Sequence, residues 1–403
     1  MPLLSAIFQK GVKSVNNKEY YLNSASTTKV DPDVAEVIYR TINKNWANPS
    51  DLYKSGRESM SIIEDAQDVI KDYLRANDGD KIIFTGSGSE ANNLALTGWS
   101  KALDRRIVCA TPIEHKSIVA QPCIQWNIAV DEVGRVDLEF LKTLARTLSR
   151  SYYEIMFSVG LVNNEIGTVQ DIAEISKIIH EYKNCYLHVD ATQGFAHCGV
   201  SVDGIDLLSA SFHKIGVPKG IGMLYVRDGI DLSPVIYGGQ QMYGLRAGTE
   251  NVPYIAGVAC KFRKLRHYHN PYYWEPRDRE IAKTTADLMQ KLLQIPGSRL
   301  NGPIDNRVLG NINISFTDIE GSTLALMLDT DGIYISSGSA CNSQSVDPSH
   351  VLKAIKTPEE YQYGAIRITI DEPLSEEEVN YIAGRIQHWV YTLRRIHSEE
   401  EGE

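Results

Sequence analysis

From about residue 81 onward, short apolar runs alternate with stretches of helical periodicity, and this alternation limits the possible folds more than any other feature. The first apolar runs are Lys81–Thr85, Arg106–Ala110 and Glu154–Val162, each short enough to be a buried strand. Helical periodicity covers Glu90–Leu103 and Asp171–Lys183. Further strands are predicted at Tyr186–Val189, Leu207–Ser211 and Gly222–Val226. The alternation predicts an α/β fold whose large domain has a mainly parallel sheet covered by helices.

The rhythm changes after about residue 260, where a second set of elements begins. These elements are, in chain order, a helix over Asp278–Leu293, a strand over Asn311–Phe316, a helix over Gly321–Leu328, strands over Ile333–Ser336 and Ala365–Ile370, and a helix over Ser375–Ile396. We therefore predict a large domain over residues 16–260. Residues 1–15 and 261–403 are predicted to form a smaller α/β domain.

The composition is typical of a globular protein of two or three domains, with 403 residues of which 43% are hydrophobic. A formal net charge of −10 argues against extensive nucleic-acid binding, which needs clustered Lys and Arg. The chain has neither an apolar run of about 18 residues nor a signal-peptide pattern at its N-terminus. Its six cysteines are scattered and form no C-x-x-C pair. The sequence thus predicts a cytoplasmic protein without a membrane span or a metal site.

One basic segment departs from this acidic average. Between Lys261 and Arg279, Lys and Arg residues alternate with aromatic residues. We interpret the segment as a solvated helix followed by a loop. The alternative interpretation is a docking surface for a partner protein or a nucleic acid.

A glycine-rich turn, Gly86–Asn93, follows the first predicted strand and opens the first predicted helix. Glycines let the backbone approach an anion, and a helix N-terminus offers unpaired N–H groups, so this turn is suited to a phosphate. The same G-x-G-x-x-A pattern also fits a dinucleotide fingerprint, but no acidic residue ends a strand about 20 residues further on. A plain strand-to-helix turn remains the third interpretation.

Two ionisable residues end neighbouring apolar runs. Asp190 ends a predicted buried strand, where a carboxylate needs a partner, and a protonated pyridine nitrogen would supply one. Lys214 follows the run that ends at Ser211 and lies among glycines, where desolvation would let it form a Schiff base. A turn-capping Asp and a solvated surface Lys are the alternatives. The spacing of the two residues favours the chemical interpretation, because ligands bind at the carboxyl ends of parallel strands.

Cys341 lies in a run of small residues, Ser336–Ser343, which follows a predicted strand. Few side chains anchor such a run, so this cysteine is expected to be more accessible than the other five. A thiol in such a place is open to thiolate chemistry. Inert packing is the alternative for any single cysteine.

In combination, these motifs resemble those of the cysteine desulfurases, which belong to the class V branch of the fold-type-I pyridoxal-phosphate enzymes. The resemblance runs from about Tyr21 to Ile396. The motifs that carry it are YLNSASTT (21–28), NPSDLYKSGR (48–57), GSGSEANN (86–93), IEHKS (113–117), VNNEIGTVQ (162–170), HVDATQ (188–193), SFHK (211–214), GLRAGTEN (244–251), NISF (313–316), SSGSAC (336–341) and IRITI (366–370).

The resemblance assigns a role to each candidate residue. It implies that Lys214 binds pyridoxal 5'-phosphate covalently, that Asp190 pairs with the ring nitrogen and that Gln193 contacts the ring hydroxyl. His115 is implied to stack on the ring and to move protons. The remaining implied cofactor contacts are the phosphate ligands Ser89, Ser211, His213 and, from a second subunit, Thr249, together with Glu90 and Asn164. Asn164 and Arg367 are implied to bind the substrate carboxylate, and Cys341 is the implied nucleophile.

The resemblance also implies the reaction and the partners. L-cysteine would yield L-alanine and a persulfide on Cys341, and the sulfur would pass to an acceptor protein of an iron–sulfur or thiolation pathway. The implied assembly is a homodimer. The chain departs from the family's usual pattern at Asn23, Ser24, Tyr53 and Met242. We read these departures as a sign of a specialised desulfurase that serves one thiolation pathway.

Three other functions compete with this interpretation. A selenocysteine lyase, or another class V aminotransferase or lyase, would keep the cofactor and change the reaction. A nicotinamide dehydrogenase would use the glycine-rich turn alone. A non-catalytic scaffold for a sulfur acceptor would need none of Asp190, Lys214 and Cys341, so the presence of all three speaks against it.

Overall fold

The computed structural model describes residues 18–195, 197–265, 276–337 and 347–401. The chain divides into two compact units. The large unit takes Thr27–Asn164 and Thr168–Tyr273, and the small unit takes Met1–Ser26, Glu165–Gly167 and Trp274–Glu403.

The described residues form strands and helices in the following order. The strands are β1 (Tyr20–Tyr21), β2 (Lys81–Thr85), β3 (Arg106–Ala110), β4 (Ile124–Asn127), β5 (Glu154–Gly160), β6 (Cys185–Asp190), β7 (Leu207–Ser211), β8 (Gly222–Val226), β9 (Ser298–Leu300), β10 (Asn311–Phe316), β11 (Ile333–Tyr334), β12 (Ser336–Ser337) and β13 (Ala365–Thr369). The helices are α1 (Pro32–Lys44), α2 (Lys54–Leu74), α3 (Gly88–Ala102), α4 (Lys116–Val119), α5 (Leu138–Leu148), α6 (Ile172–Ile179), α7 (Val252–Lys264), α8 (Pro276–Leu292), α9 (Gly321–Asp329), α10 (His350–Ala354), α11 (Glu359–Gln362) and α12 (Glu376–Glu401). Short 3₁₀ turns cover Phe212–Lys214 and Met242–Gly244.

A seven-stranded sheet organises the large unit, with the strand order β2-β8-β7-β6-β5-β3-β4. The pairs β3–β4, β3–β5, β5–β6 and β6–β7 are parallel. Strand β8 runs antiparallel to both of its neighbours, β2 and β7. The predicted α/β fold with a mainly parallel sheet is therefore confirmed, and β8 is the strand that departs from the parallel pattern.

The helices of the large unit pack apolar faces on each other and on this sheet. Helix α1 begins at the N-cap Asp31, with Pro32 in its first turn, and it buries Val34 and Ile38. It lies against α7, where a Cβ on Gly257 would come 2.8 Å from Ile38 Cγ1. A glycine at this position lets the two helices approach closely.

The small unit contains a separate four-stranded antiparallel sheet, in the order β12-β13-β10-β9. Helices α8, α9 and α12 pack on the separate hydrophobic core of the small unit, which includes Leu288, Phe316 and Ile382. The single strand predicted over Ile333–Ser336 forms two short strands instead. Strand β11 pairs with β1, whereas β12 joins the four-stranded sheet.

The unit boundaries differ from the predicted domain limits at residues 15/16 and 260/261. Strand β1 pairs with β11 of the small unit, so the chain enters the large unit only after Ser26. Helix α7 continues without a break through residue 260 to Lys264 and packs on α1 and α2. A domain limit within a continuous helix would split its buried face.

The part of the basic segment that lies in α7 forms ion pairs within the large unit, whereas Arg277 contacts Glu372 within the small unit. Lys261 and Lys264 both contact Asp31, at 3.3 Å and 3.2 Å. Arg263 contacts Asp65 at 2.6 Å. Residues 266–275 of the segment lie outside the described residues. Along the described ranges, no helix is long and apolar enough to cross a membrane.

Candidate active site

The parallel strands of the large sheet end at one edge, and the predicted polar residues lie on the turns that follow. In the register of the sheet, Asp190 at the end of β6 is paired with Gly160 of β5 and with Ser209 of β7. The chain continues from β7 through Ser211 into the 3₁₀ turn that contains Lys214. Asp190 and Lys214 thus follow adjacent strands, as the sequence predicted.

The glycine-rich turn between β2 and α3 approaches the end of β7 closely. Ser87 is the N-cap of α3, and its side chain accepts a hydrogen bond from the Glu90 N–H at 3.1 Å. A Cβ on Gly88 would lie 2.9 Å from Ser211 Cβ and 3.3 Å from Thr192 Oγ1. The helix N-terminus therefore lies close to Ser211 and Thr192 at the ends of β7 and β6, and Ser89 is exposed in the first turn of α3.

Glu90 closes the glycine-rich turn from inside. Its carboxylate accepts hydrogen bonds from the Gly86 N–H at 2.7 Å and from Arg246 Nε at 2.8 Å. The ion pair connects this turn to the segment that leads to Gly248 and the exposed Thr249. These contacts give Glu90 a structural part at the site, and its predicted contact with a cofactor stays a prediction.

Asp190 is fixed by donors on both of its carboxylate oxygens. The Thr192 N–H donates to Oδ1 at 2.9 Å, and Asn92 Nδ2 donates to Oδ2 at 2.8 Å. Asn92 is 1% exposed and lies one helical turn after Gly88 in α3. The sequence analysis quoted Asn92 within a motif without a role, although its place on the sheet-facing side of α3 was a usable signal.

His115 is the N-cap of the short helix α4. Its Nδ1 accepts a hydrogen bond from the Ser117 N–H at 3.1 Å and lies 2.8 Å from Ser117 Oγ. The same hydroxyl oxygen accepts a hydrogen bond from Asn92 Nδ2 at 2.8 Å. Ser117, which had no role in the sequence analysis, thus connects His115 to the helix that contacts Asp190.

Glu114 precedes His115 and is a buried carboxyl group. It accepts hydrogen bonds from Thr111 Oγ1 at 2.6 Å and from the Gly160 N–H at 2.9 Å. Burial raises the pKa of Glu114 to about 7, and the negative charge of Asp190 acts in the same direction. This carboxyl group therefore titrates near neutral pH behind the residues that form the site.

His213 and Lys214 lie on the 3₁₀ turn after β7, which the start of the large unit holds in place. His213 Nδ1 lies 3.1 Å from Thr27 Oγ1, and the His213 carbonyl accepts from the Thr28 hydroxyl at 3.0 Å. Burial lowers the pKa of His213 to about 4, and the positive charges of Lys214 and Lys219 add to this effect. The His213 imidazole is therefore neutral at physiological pH, while Lys214 is half-buried.

A second histidine, His188, lies inside the sheet two residues before Asp190. It is fully buried, with Nδ1 2.8 Å from Ser158 Oγ on β5 and Nε2 2.9 Å from Ser209 Oγ on β7. Burial lowers the pKa of His188 to about 4. Its neutral ring joins three adjacent strands beneath the site.

The other predicted residues are distributed as follows. Gln193 and Asn164 are half-buried on the turns after β6 and β5. Arg367 lies on β13 of the small unit, where Nη2 donates to Asn23 Oδ1 at 2.9 Å. Cys341 lies outside the described residues, so the structure does not place it.

The residues that departed from the family pattern have local contacts. The Tyr53 hydroxyl donates to Asp51 at the start of α2. Met242 is buried and has a positive φ of 46°, which only a tightly constrained turn imposes on a residue with a side chain. Ser24 is buried in the small unit, close to Asn23.

The donor set at this edge fits a phosphorylated pyridine. The N-terminus of the 15-residue helix α3 and the Ser211 hydroxyl are suited to a phosphate. Asp190 offers a carboxylate oriented by two donors, which suits a protonated ring nitrogen. Lys214 supplies an amine on the 3₁₀ turn that follows the adjacent strand β7.

Comparisons with known proteins agree with this geometry. A family model described as "Aminotransferase class-V" matches residues 20–382. The chain therefore belongs to the class V aminotransferases. Its α/β fold and the site at its strand ends agree with this family.

Particular relatives narrow this assignment. The cysteine desulfurase IscS of Dictyoglomus turgidum is 37% identical over 405 residues, which cover 94% of this chain and 96% of the relative. The solved structure of a NifS-like protein from Rickettsia africae superposes with a TM-score of 0.81 at 29% identity, covering 93% of this chain and 100% of that one. A structure titled "SspA in complex with cysteine" has a TM-score of 0.71 at 28% identity and covers 88% and 99% of the two chains. Within its family, the chain is one of the cysteine desulfurases.

Proposed function

We propose that this protein is a pyridoxal-phosphate-dependent enzyme that removes sulfur from L-cysteine, releases L-alanine and holds the sulfur as a persulfide on Cys341. The observation that carries the proposal is the arrangement at the carboxyl edge of the large sheet. There, Asp190 lies between two hydrogen-bond donors, and the adjacent strand leads directly to Lys214. A carboxylate and an amine at the ends of neighbouring strands are what a covalently bound pyridinium cofactor requires.

The phosphate of the cofactor would be held by the turn after β2 and the turn after β7. The close approach of Gly88 to Ser211 brings the α3 N-terminus beside a hydroxyl donor. Ser89 and His213 are assigned to the same phosphate. His213 is neutral because burial lowers its pKa to about 4, so it donates through one N–H without adding charge.

The ring of the cofactor would be held by Asp190, Gln193 and His115. When bound, the cofactor supplies an electron sink for the carbanion that forms at the substrate α-carbon. Asp190 would pair with the ring nitrogen, because Asn92 and the Thr192 N–H orient its carboxylate. His115 covers the ring face and moves protons. Asn164 is assigned to the ring and the substrate, and Glu90 is assigned to support of the phosphate turn.

Sulfur transfer is assigned to Cys341, whose thiolate attacks the sulfur of the bound cysteine. A sulfur–sulfur bond forms and the carbon–sulfur bond of the substrate breaks. The substrate carbon that loses its sulfur takes a proton. Cysteine and the enzyme thiol thus become alanine and the enzyme persulfide. Asn164 and Arg367 are assigned to the substrate carboxylate, for which an arginine provides a bidentate donor pair.

The assembly and the partners follow from the same assignment. We place Thr249 in the phosphate site of a second copy of the chain, because it lies exposed after Gly248, which has a φ of 104°. The protein is then a homodimer with two-fold symmetry. An acceptor protein takes the sulfur from Cys341, and the unpaired thiols of the large unit suit a reducing compartment such as the cytoplasm.

Removal of the Lys214 amine tests the cofactor assignment. Lys214→Ala should lose the visible absorbance of a covalently bound cofactor and bind pyridoxal phosphate only reversibly. Lys219→Ala is the matched control, because Lys219 lies five residues further along the same β7–β8 connection, where it is exposed, and should keep the wild-type spectrum. An unchanged spectrum in Lys214→Ala would exclude this lysine as the attachment site.

A further inference from the structure

Asn92 connects Asp190, which is assigned to the nitrogen of the cofactor ring, with His115, which is assigned to the face of the ring. Its Nδ2 group donates one hydrogen bond to Asp190 Oδ2 and another to Ser117 Oγ, both at 2.8 Å. Ser117 Oγ in turn lies 2.8 Å from His115 Nδ1. The amide group of Asn92, which has two N–H bonds, therefore contacts Asp190 directly and His115 through Ser117.

The direction of each hydrogen bond follows from the backbone. Because the Ser117 N–H donates to His115 Nδ1, this nitrogen is an acceptor and carries no proton. The Ser117 hydroxyl, which receives a hydrogen bond from Asn92, is then free to direct its own proton at the same nitrogen. The chain of donors runs from Asn92 through Ser117 to His115, and it places the proton of a neutral His115 on Nε2.

The orientation of the Asn92 amide is fixed by charge. Asn92 is 1% exposed, and its Oδ1 has no hydrogen-bond partner within the described part of the chain. Rotating the amide by half a turn would direct Oδ1 at the Asp190 carboxylate, so two acceptors would face each other. A buried carbonyl oxygen without a partner is unfavourable, and it persists here because the alternative orientation is worse.

We propose that Asn92 is a positioning residue that orients the Asp190 carboxylate and at the same time fixes the tautomer of His115 through Ser117. The inference rests on the proposed function in so far as Asp190 and His115 contact the cofactor. It predicts that a change at Ser117 affects His115 alone, whereas a change at Asn92 affects both His115 and Asp190. A purely structural asparagine would affect neither group selectively.

The test compares Asn92→Ala with Ser117→Ala in enzyme that carries ¹⁵N-labelled histidine and a cofactor labelled at the ring nitrogen. We expect Asn92→Ala to shift both the His115 nitrogen signals and the ring-nitrogen signal, and to weaken cofactor binding about tenfold because a charge-assisted hydrogen bond is lost. Ser117→Ala should shift the His115 signals alone. Ser117→Thr, which keeps the hydroxyl, should restore them.

Asn93→Ala is the matched control, because Asn93 is the next residue of α3 and its side chain donates to the Ser89 carbonyl instead. It should move neither signal. Unchanged signals in a folded Asn92→Ala protein would overturn the inference, and so would an equal ring-nitrogen shift in Ser117→Ala. If Asn92→Ala does not fold, the two Ser117 variants still test whether Ser117 fixes the tautomer of His115.

The His115 signals need no cofactor. Failure of the protein to bind pyridoxal phosphate would therefore contradict the proposed function, whereas the Asn92 arrangement would still be decided by the histidine signals. The two failures are distinguishable.

Discussion

Replacement of His188 by leucine should destabilise the large unit and change how its stability depends on pH. His188 and its partners Ser158 and Ser209 are all fully buried. A leucine of similar volume would fill the space and leave two buried hydroxyl groups without the imidazole. At about 1–3 kcal/mol for each unsatisfied group, His188→Leu should lower the free energy of unfolding by roughly 2–6 kcal/mol.

The pH dependence follows from the lowered pKa of His188. Burial places this pKa at about 4, against an ordinary value of 6.5 in the unfolded chain. Below pH 6.5 the unfolded chain binds a proton that the folded protein refuses, so the contribution to stability is full above pH 6.5 and falls as the pH drops towards 4. The loss should be about 2 kcal/mol at pH 5 and roughly 3 kcal/mol near pH 4.

Urea unfolding, followed by tryptophan fluorescence at pH 7.5 and pH 5, measures both effects. The stability difference between the wild type and His188→Leu should shrink by about 2 kcal/mol at the lower pH, because only the wild type pays to exclude the proton. The triple variant with Ser158→Ala and Ser209→Ala should recover most of the loss at pH 7.5, since no buried hydroxyl remains. A difference that stays constant between the two pH values would refute the reasoning.

Two further predictions concern the glycine-rich turn and the buried thiols. A Cβ on Gly222 would lie 2.6 Å from the backbone carbon of Ser87, so Gly222→Ala should displace this turn, destabilise the protein by about 1–3 kcal/mol and weaken cofactor binding in a fluorescence titration, whereas unchanged affinity would show that the turn tolerates the shift. Burial raises the pKa of Cys109 and raises that of Cys185 to about 12, so both should stay unlabelled by iodoacetamide at pH 8 in the native protein, and rapid labelling seen by mass spectrometry would contradict their burial.

Four strands of the large sheet could be predicted closely because they are buried on both faces, whereas the exposed edge strand β4 was not predicted. Lys81–Thr85, Arg106–Ala110, Leu207–Ser211 and Gly222–Val226 have the predicted bounds. The antiparallel direction of β8 was missed, because an apolar run carries no sign of its direction. The signal lay in the connection, since the ten residues between β7 and β8 are fewer than a parallel crossover needs.

The ends of helices were harder to predict than their presence. Helix α3 begins at Gly88, two residues before the predicted start, because Ser87 caps it and holds the glycine-rich turn against β7. Helix α6 ends at Ile179 instead of Lys183. Periodicity locates a buried face, whereas a cap depends on contacts that periodicity does not record.

The residues of the site divide in the same way, into those that a local sequence pattern indicates and those whose contacts are far away in the chain. Asp190 and Lys214 could be proposed from the sequence because each ends or follows an apolar run, and the sheet places these two strands side by side. Asn92 and Ser117 were not assigned, because their importance lies in contacts with residues far away in the chain. Side-chain hydrogen bonds of this kind follow from the packing of α3 on the sheet edge and have no linear pattern.

The most direct test of the central claim is the turnover of L-cysteine by a Cys341→Ser variant. The hydroxyl of serine is almost fully protonated at neutral pH, so the variant should bind pyridoxal phosphate, respond to cysteine with a spectral shift, and form neither alanine nor a persulfide. Cys260→Ser, which changes a half-buried thiol in α7, is the matched control and should keep the wild-type rate. Alanine formation by Cys341→Ser at the wild-type rate would contradict the account.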